Sequence, residues 1–181
     1  MTKQTTKRAA FAAAFAMAFM VSTNFAIASP GHSAKKNVGE PGKSSDVTRT
    51  INVKMYDNYY EPENISAKEG ETVKFVVTNA GELVHEFNIA TGEMHKAHQP
   101  EMMMMQEHGV LDGDRINMEA AKAMQASMGH GMHNDPNSVL LEPGKTGEVI
   151  WKFPEHAELE FACNVPGHYD AGMVGKFKLT H

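Results

Sequence analysis

Residues 159–163 and 174–180 both read as strands, and the turn between them carries Cys163, His168 and Met173 at C-x4-H-x4-M spacing. In the second run Val174, Lys176 and Lys178 alternate with Phe177 and Leu179, the period of two expected of a half-buried strand. Pro166 and Gly167 supply the bend. Ala171 and Gly172 are small enough for the loop to close tightly before Met173. A chain folded this way must gather a thiol, an imidazole and a thioether at one end of a sheet.

Cys163 is the only cysteine of the chain. Taken singly, a lone Cys reads as a small buried hydrophobe, a lone Met as a core filler and a strand His as a satisfied core or surface residue. Taken together the donors suit copper. Two His and one Cys in a plane, with Met173 as a weak axial ligand, make a type 1 copper centre, blue or green according to how strongly Met173 competes with the thiolate, so a second imidazole is needed. His85 is the candidate, on a run in which Val84, Glu86 and Asn88 alternate with His85, Phe87 and Ile89. A ligand on a separate strand helps hold one compromise geometry in both oxidation states. Zinc fits poorly because a thioether is a weak zinc donor and no second Cys completes a structural tetrad. A Cys/His nucleophile would want the thiol in an activating position such as a helix N-terminus, whereas Cys163 ends a strand. A binuclear copper centre needs two bridging cysteines, and the His-x-His pairs of a trinuclear cluster are absent.

On these residues the segment 161–176 resembles the C-terminal ligand loop of the cupredoxins, the family of plastocyanin, azurin, auracyanin and rusticyanin. The resemblance covers roughly residues 48–91 and 138–181, and the spacing is similar to that of auracyanin and rusticyanin. It implies a Greek-key β-sandwich, all-β apart from an insertion. It also implies that Asn79 ties the first-ligand loop to the peptide after the cysteine. Asn79 and Asn164 are therefore the expected supports of the ligand loops.

The rest of the chain fits this frame. Lys3, Lys7 and Arg8 precede an apolar run over 9–21, and Ala26 and Ala28 lie before Ser29, which reads as a secretory signal cleaved after Ala28. The run is shorter than the ~20 residues that span a bilayer. The expected product is a periplasmic, monomeric protein with no membrane span. The net charge is −5, and such a leader would remove three cations and no acid, so nucleic acid is excluded as a partner. Residues 29–47, rich in Gly, Pro and Ser, read as a flexible leader, with His32 a solvated loop residue. Strands are expected around Ile51–Met55, at 65–67, at 72–78 with Val73, Phe75 and Val77 inward, at 139–141 and at 148–153 with Val149 and Trp151 in the core. Residues 59–64 read as a break. One cupredoxin domain, 48–181, is expected.

Between 91 and 137 the alternation stops and nine of the fourteen methionines occur, with His95, His98, His108, His130 and His133. Asn117 is placed to cap a helix running to Met128, with Ala121, Met124 and Met128 on one face. That face serves either packing or metal. Met94, Met102, Met103, Met104, Met105, Met124, Met128, His130, Met132 and His133 are candidate donors for additional Cu(I), because thioethers are soft ligands. The insertion is taken as 92–137 and partly helical; deleting residues 94–133 is expected to leave the centre nearly intact, since the four ligands lie outside the deletion, and to lower Cu(I) stoichiometry. His156 and His181 read as surface residues.

The function expected is copper tolerance or homeostasis through one redox-active type 1 copper, working with a periplasmic redox or copper-handling protein. A dedicated one-electron carrier is the alternative, and a small cuprous oxidase a weaker one. Otherwise the chain is not read as an enzyme.

Overall fold

The computed structural model describes residues 38–129, 131–132 and 134–181. The expected export signal, residues 29–37 with His32, and the candidate donors His130 and His133 lie outside the described residues. Twelve strands and two helices follow in order: β1 Glu40–Pro41, β2 Arg49–Tyr56, β3 Tyr59–Glu61, β4 Asn64–Lys68, β5 Thr72–Asn79, β6 His85–Ala90, α1 Gly92–Glu107, β7 Leu111–Asp112, β8 Arg115–Ile116, α2 Met118–Met128, β9 Ser138–Leu141, β10 Thr146–Lys152, β11 Glu160–Ala162 and β12 Val174–Thr180.

Two five-stranded sheets make a β-sandwich. One runs β1-β10-β5-β2-β3 and the other β4-β12-β11-β6-β9, while β7 and β8 form a separate ribbon. Pairing is antiparallel except for β2 with β5 and β4 with β12. Alternation decides which side chains enter the core. Val73, Phe75 and Val77 of β5, Val53 and Met55 of β2, and Val149 and Trp151 of β10 are buried, as their spacing predicts. They meet Phe87 of β6, Phe161 of β11 and Phe177 of β12. The Phe75 ring lies 5.4 Å from Phe87 and 5.9 Å from Phe177, joining the two sheets through offset and edge contacts.

Three expectations change. The leader does not extend to residue 47, because Glu40 and Pro41 pair with Lys152 and Trp151 of β10, and the Trp151 indole N–H donates to the Val38 carbonyl at 2.9 Å. Residues 59–61 are not a break. Tyr59 and Tyr60 have high strand propensity and pair with Tyr56 and Met55, and Tyr60 is buried with its hydroxyl donating to the Glu86 carbonyl at 2.6 Å. Finally, β6 is buried on both faces. The insertion covers the outer face, so Glu86 and Asn88 are withdrawn from solvent although they alternate with core residues.

The insertion is more helical than its sequence reads. In α1, Thr91 caps by accepting the Met94 N–H at 3.3 Å, and the buried positions are His95, Met102 and Met105. Pro100 lies inside this helix on its exposed side, as does Lys96, whose carbonyl Pro100 cannot serve with an N–H. In α2, Asn117 caps as expected, accepting from the N–H groups of Glu119 and Ala120, and Gly129 closes the helix at φ 70°. Ala121 and Met124 are buried, but Met128 is 41 % exposed, so the expected stripe is only two residues wide. No helix among the described residues is long and apolar enough to cross a membrane.

Candidate metal centre

The turn after β11 is closed by a set of local backbone hydrogen bonds. The His168 N–H donates to the Val165 carbonyl and that of Met173 to His168, both at 3.0 Å, and the Cys163 N–H donates to the Met173 carbonyl at 3.2 Å. Gly167 and Gly172 take φ of 87° and 95°, a region that side-chain-bearing residues rarely enter. Cys163 and Met173 are fully buried and His168 half-buried. The spacing read from the sequence therefore brings three donor residues together by local hydrogen bonding.

His85 enters from the first residue of β6, across the sheet from β11. Its Nδ1 lies 3.2 Å from His168 Nδ1 and 3.9 Å from Cys163 Sγ, and the third edge, Cys163 Sγ to His168 Nδ1, is 3.4 Å. An ion about 2.0 Å from two imidazole nitrogens and about 2.3 Å from a thiolate, all in one plane, spaces its donors about 3.5–3.7 Å apart. The observed triangle matches that size, so the three residues fit a small trigonal ion. The Met173 backbone is hydrogen-bonded to both Cys163 and His168, so this residue is tied to the loop that carries two of the three donors.

The surroundings fix the chemistry of the donors. Asp57, in the turn between β2 and β3, accepts the Nε2–H of His85 at 2.8 Å, which leaves the Nδ1 lone pair directed at the triangle. Asp57 is itself held by the Glu82 and Leu83 N–H groups. Burial works against its charge, but the His85 contact and these N–H groups hold its carboxyl below the usual range. Burial pushes the Cys163 thiol up to about 12, with the Glu86 charge adding to it against the Glu86 N–H, which donates to Sγ at 3.3 Å. His168 is pushed down by burial and by the neighbouring His85. Without metal at neutral pH the centre thus holds a protonated thiol and a neutral His168.

The support of the ligand loops differs from the expected one. Asn79 does not reach the peptide after the cysteine; its Nδ2 donates to the carbonyls of Leu83 and Leu141, each at 2.8 Å, and its Oδ1 accepts from Gly81 N–H. It shapes the loop that delivers His85. The peptide after the cysteine is held by Glu86, whose Oε2 accepts the Asn164 N–H at 3.2 Å and the Asn164 side-chain amide at 2.7 Å. Asn164 Oδ1 in turn accepts from His95 Nδ1 at 3.2 Å and Gln99 Nε2 at 3.1 Å, both on α1. Asp57, Glu86, His95 and Gln99 were not anticipated. A buried acid and a buried imidazole carry no sequence signal until their long-range partners are known.

The soft donors of the insertion do not converge as a group. Met102 and Met105 are buried and, with the half-buried Met132, line a cavity of about 210 Å³ that Glu86 and His98 also border. Met103 and Met128 point to solvent, and Met94, Met104 and Met124 do not border that cavity. At the surface, the Glu69 carboxylate accepts from the exposed His156 and His181, as their surface reading anticipates.

A family model described as a cupredoxin-like domain matches residues 10–111. The chain is 45 % identical over 159 residues to the copper-resistant cuproprotein CopI of Pseudomonas aeruginosa, covering 82 % of this chain and 84 % of that one. It is 37 % identical to the protein of the same description from Rubrivivax gelatinosus, covering 80 % and 74 %. Among solved structures, auracyanin B superposes with a TM-score of 0.54 at 18 % identity, over 81 % of this chain and all of that one, a likeness of fold. With the matched family model, these relatives and a β-sandwich closed by a two-His, one-Cys triangle, the chain belongs to the cupredoxin-like family.

Proposed function

We propose that the chain binds one copper ion at His85, Cys163 and His168, with Met173 as weak axial ligand, and that it acts in copper tolerance as a redox-active type 1 centre of the periplasm. The observation that carries this reading is the donor triangle with edges of 3.2, 3.4 and 3.9 Å, one of whose imidazoles has its other nitrogen fixed by Asp57. The description of its relatives as copper-resistant supports the role. Copper bound there would supply a one-electron Cu(II)/Cu(I) couple. The protein's part is to keep the donors in place in both states: His85 through Asp57, the cysteine loop through Glu86 and Asn164, and Met173 through the turn backbone. Burial of Cys163 and Met173 excludes water from the thiol, while half-buried His168 gives the centre an edge towards the surface.

That edge also supports the alternative role of a one-electron carrier. Export to the periplasm rests on the sequence of residues 1–28, and a monomeric state on reading the chain as a single domain. We read the chain as a binding and electron-transfer protein rather than an enzyme.

Anaerobic copper titration followed by visible and spin-resonance spectra tests the centre. Wild type should give one intense thiolate-to-copper band per chain, Cys163→Ser none, and Met173→Leu a retained band with a shifted potential. A Cys163→Ser protein with an undiminished band would overturn the assignment. Copper sensitivity of a deletion strain supports tolerance, whereas loss of a respiratory activity at ordinary copper supports the carrier.

A further inference from the structure

The cavity beside α1 is separate from the donor triangle yet adjoins it through one residue. Glu86 borders the cavity, while its N–H donates to Cys163 Sγ. Met102 and Met105, three residues apart, lie on the same face of α1 and are buried towards this space, and Met132 reaches it from the segment that follows α2. His98 and Asp135 complete the polar rim, and the opposite wall is aliphatic, from Val139, Leu140 and Leu141. The space, about 210 Å³, is partly open to solvent, so an ion can reach the three flexible thioethers that line it. The surroundings are also electronegative. Burial acts to lower the pKa of His98, but its contact with Glu101 at 3.2 Å and the charges of Glu86, Glu101 and Asp135 outweigh that and raise it.

We propose that this cavity is a second copper site, selective for Cu(I), with the thioethers of Met102, Met105 and Met132 as donors and the His98 imidazole at its rim. Thioethers are soft, neutral ligands that match Cu(I) and match Cu(II), zinc and other borderline ions poorly. The neighbouring carboxylates balance the charge of a bound cation, while the preference for Cu(I) comes from the softness of the three sulfurs. Met103, Met118 and Met128 are exposed and do not line this pocket. The inference rests on the copper reading for the identity of the ion, but its ligands share no residue with the proposed trigonal set.

The test is anaerobic titration of the full mature chain with Cu(I) in competition with a chromophoric Cu(I) chelator. Wild type is expected to hold two equivalents against the chelator, and the triple variant Met102→Leu, Met105→Leu, Met132→Leu one. These near-isosteric changes preserve packing, and a retained thiolate-to-copper band after Cu(II) loading verifies the fold. Met132→Leu alone, at a half-buried position, should weaken the second equivalent at least tenfold. Cys163→Ser should keep the equivalent that the triple variant loses. The control Met103→Leu, Met118→Leu, Met128→Leu should hold two. The inference is overturned if the buried triple still holds two equivalents, if the exposed triple loses one, or if wild type holds only one. In the last case an intact coloured band leaves the trigonal centre standing; loss of the band with two Cu(I) retained would instead remove the trigonal centre and leave the cavity site.

Discussion

Asp57 sets which nitrogen of His85 can bind a metal. By accepting the Nε2–H at 2.8 Å it holds the imidazole in the tautomer whose Nδ1 is a lone pair, in a residue with no solvent exposure to reorient. Removing such a support commonly costs about 10- to 100-fold in metal affinity. Asp57→Ala should therefore lower copper affinity by that order, with Asp57→Asn less affected, as measured by chelator competition. Equal affinity in the alanine variant would mean that β6 alone orients the ring. Gly81 belongs to the same device, because a Cβ there would lie 2.8 Å from His85 Nε2 and closer still to Asp57. The thiol supplies a second prediction. With Cys163 pushed up to about 12 by burial, the metal-free protein keeps its thiol proton at neutral pH. Copper must displace about one proton on binding, so affinity should rise roughly tenfold per pH unit between about 7 and 9. Proton release on loading a weakly buffered sample checks this directly, and an affinity independent of pH would show that the thiol is already ionised.

At the scale of elements, β2, β5, β10 and β12 were legible because half-buried strands write their burial as alternation. The turn from Cys163 to Met173 was legible because its partners are local. Helix α1 was not. Its run Met102 to Met105 turns two methionines inward and two outward or sideways, Pro100 interrupts the pattern, and one of its three buried residues is a histidine, so no apolar stripe announces it. Glu86 was misplaced for a related reason: it alternates as a solvent-facing strand residue, and only the helix laid over β6 makes it a buried clamp on Asn164. Asn79 illustrates the reverse, a residue whose importance was visible while its partners were not. Elsewhere, a charge contact joins β2 to the turn before β5. Glu71 makes a two-pronged contact with Arg49, at 2.8 and 3.2 Å, and also accepts from Thr48 and the Lys68 N–H. The Arg49 contact, working against burial and aided by the other donors, lowers the Glu71 pKa to about 2. A depressed carboxylate stabilises the fold above its ordinary value near 4.5 and ceases to as pH falls through about 2. Glu71→Gln should thus cost about 0.5–1 kcal/mol at pH 7, the deficit closing as the pH falls from about 4.5 towards 2. Thermal melts across that range provide the measurement, and a pH-independent deficit would assign the effect to packing.

At the scale of the molecule, the segment between β6 and β9 is part of the centre's enclosure although none of the four proposed ligands belongs to it. Its residues Met102, Met105, Val110, Leu111, Ala121 and Met124 join the same buried cluster as the sandwich core. Its His95 and Gln99 hold Asn164, the residue next to the cysteine. His95 is buried, with its Nδ1 engaged on Asn164. The expectation that this insertion could be cut away with the centre intact therefore gives way to a different one. Replacing residues 94–133 with a short Gly/Ser link should leave a sandwich that still takes up copper, because His85, Cys163, His168 and Met173 remain on their strands and turn. Water would then reach Glu86 and the Cys163 sulfur, and the Asn164 peptide would lose its outer support. Copper should leave the truncated protein at least tenfold faster in the presence of a chelator, and the free thiol should oxidise readily. Asn164→Ala in the full chain, which removes the side-chain link but keeps the cover, should fall between the two. If the truncated protein releases copper no faster than wild type, the strands alone secure the centre and the insertion's role lies in its methionine-lined cavity.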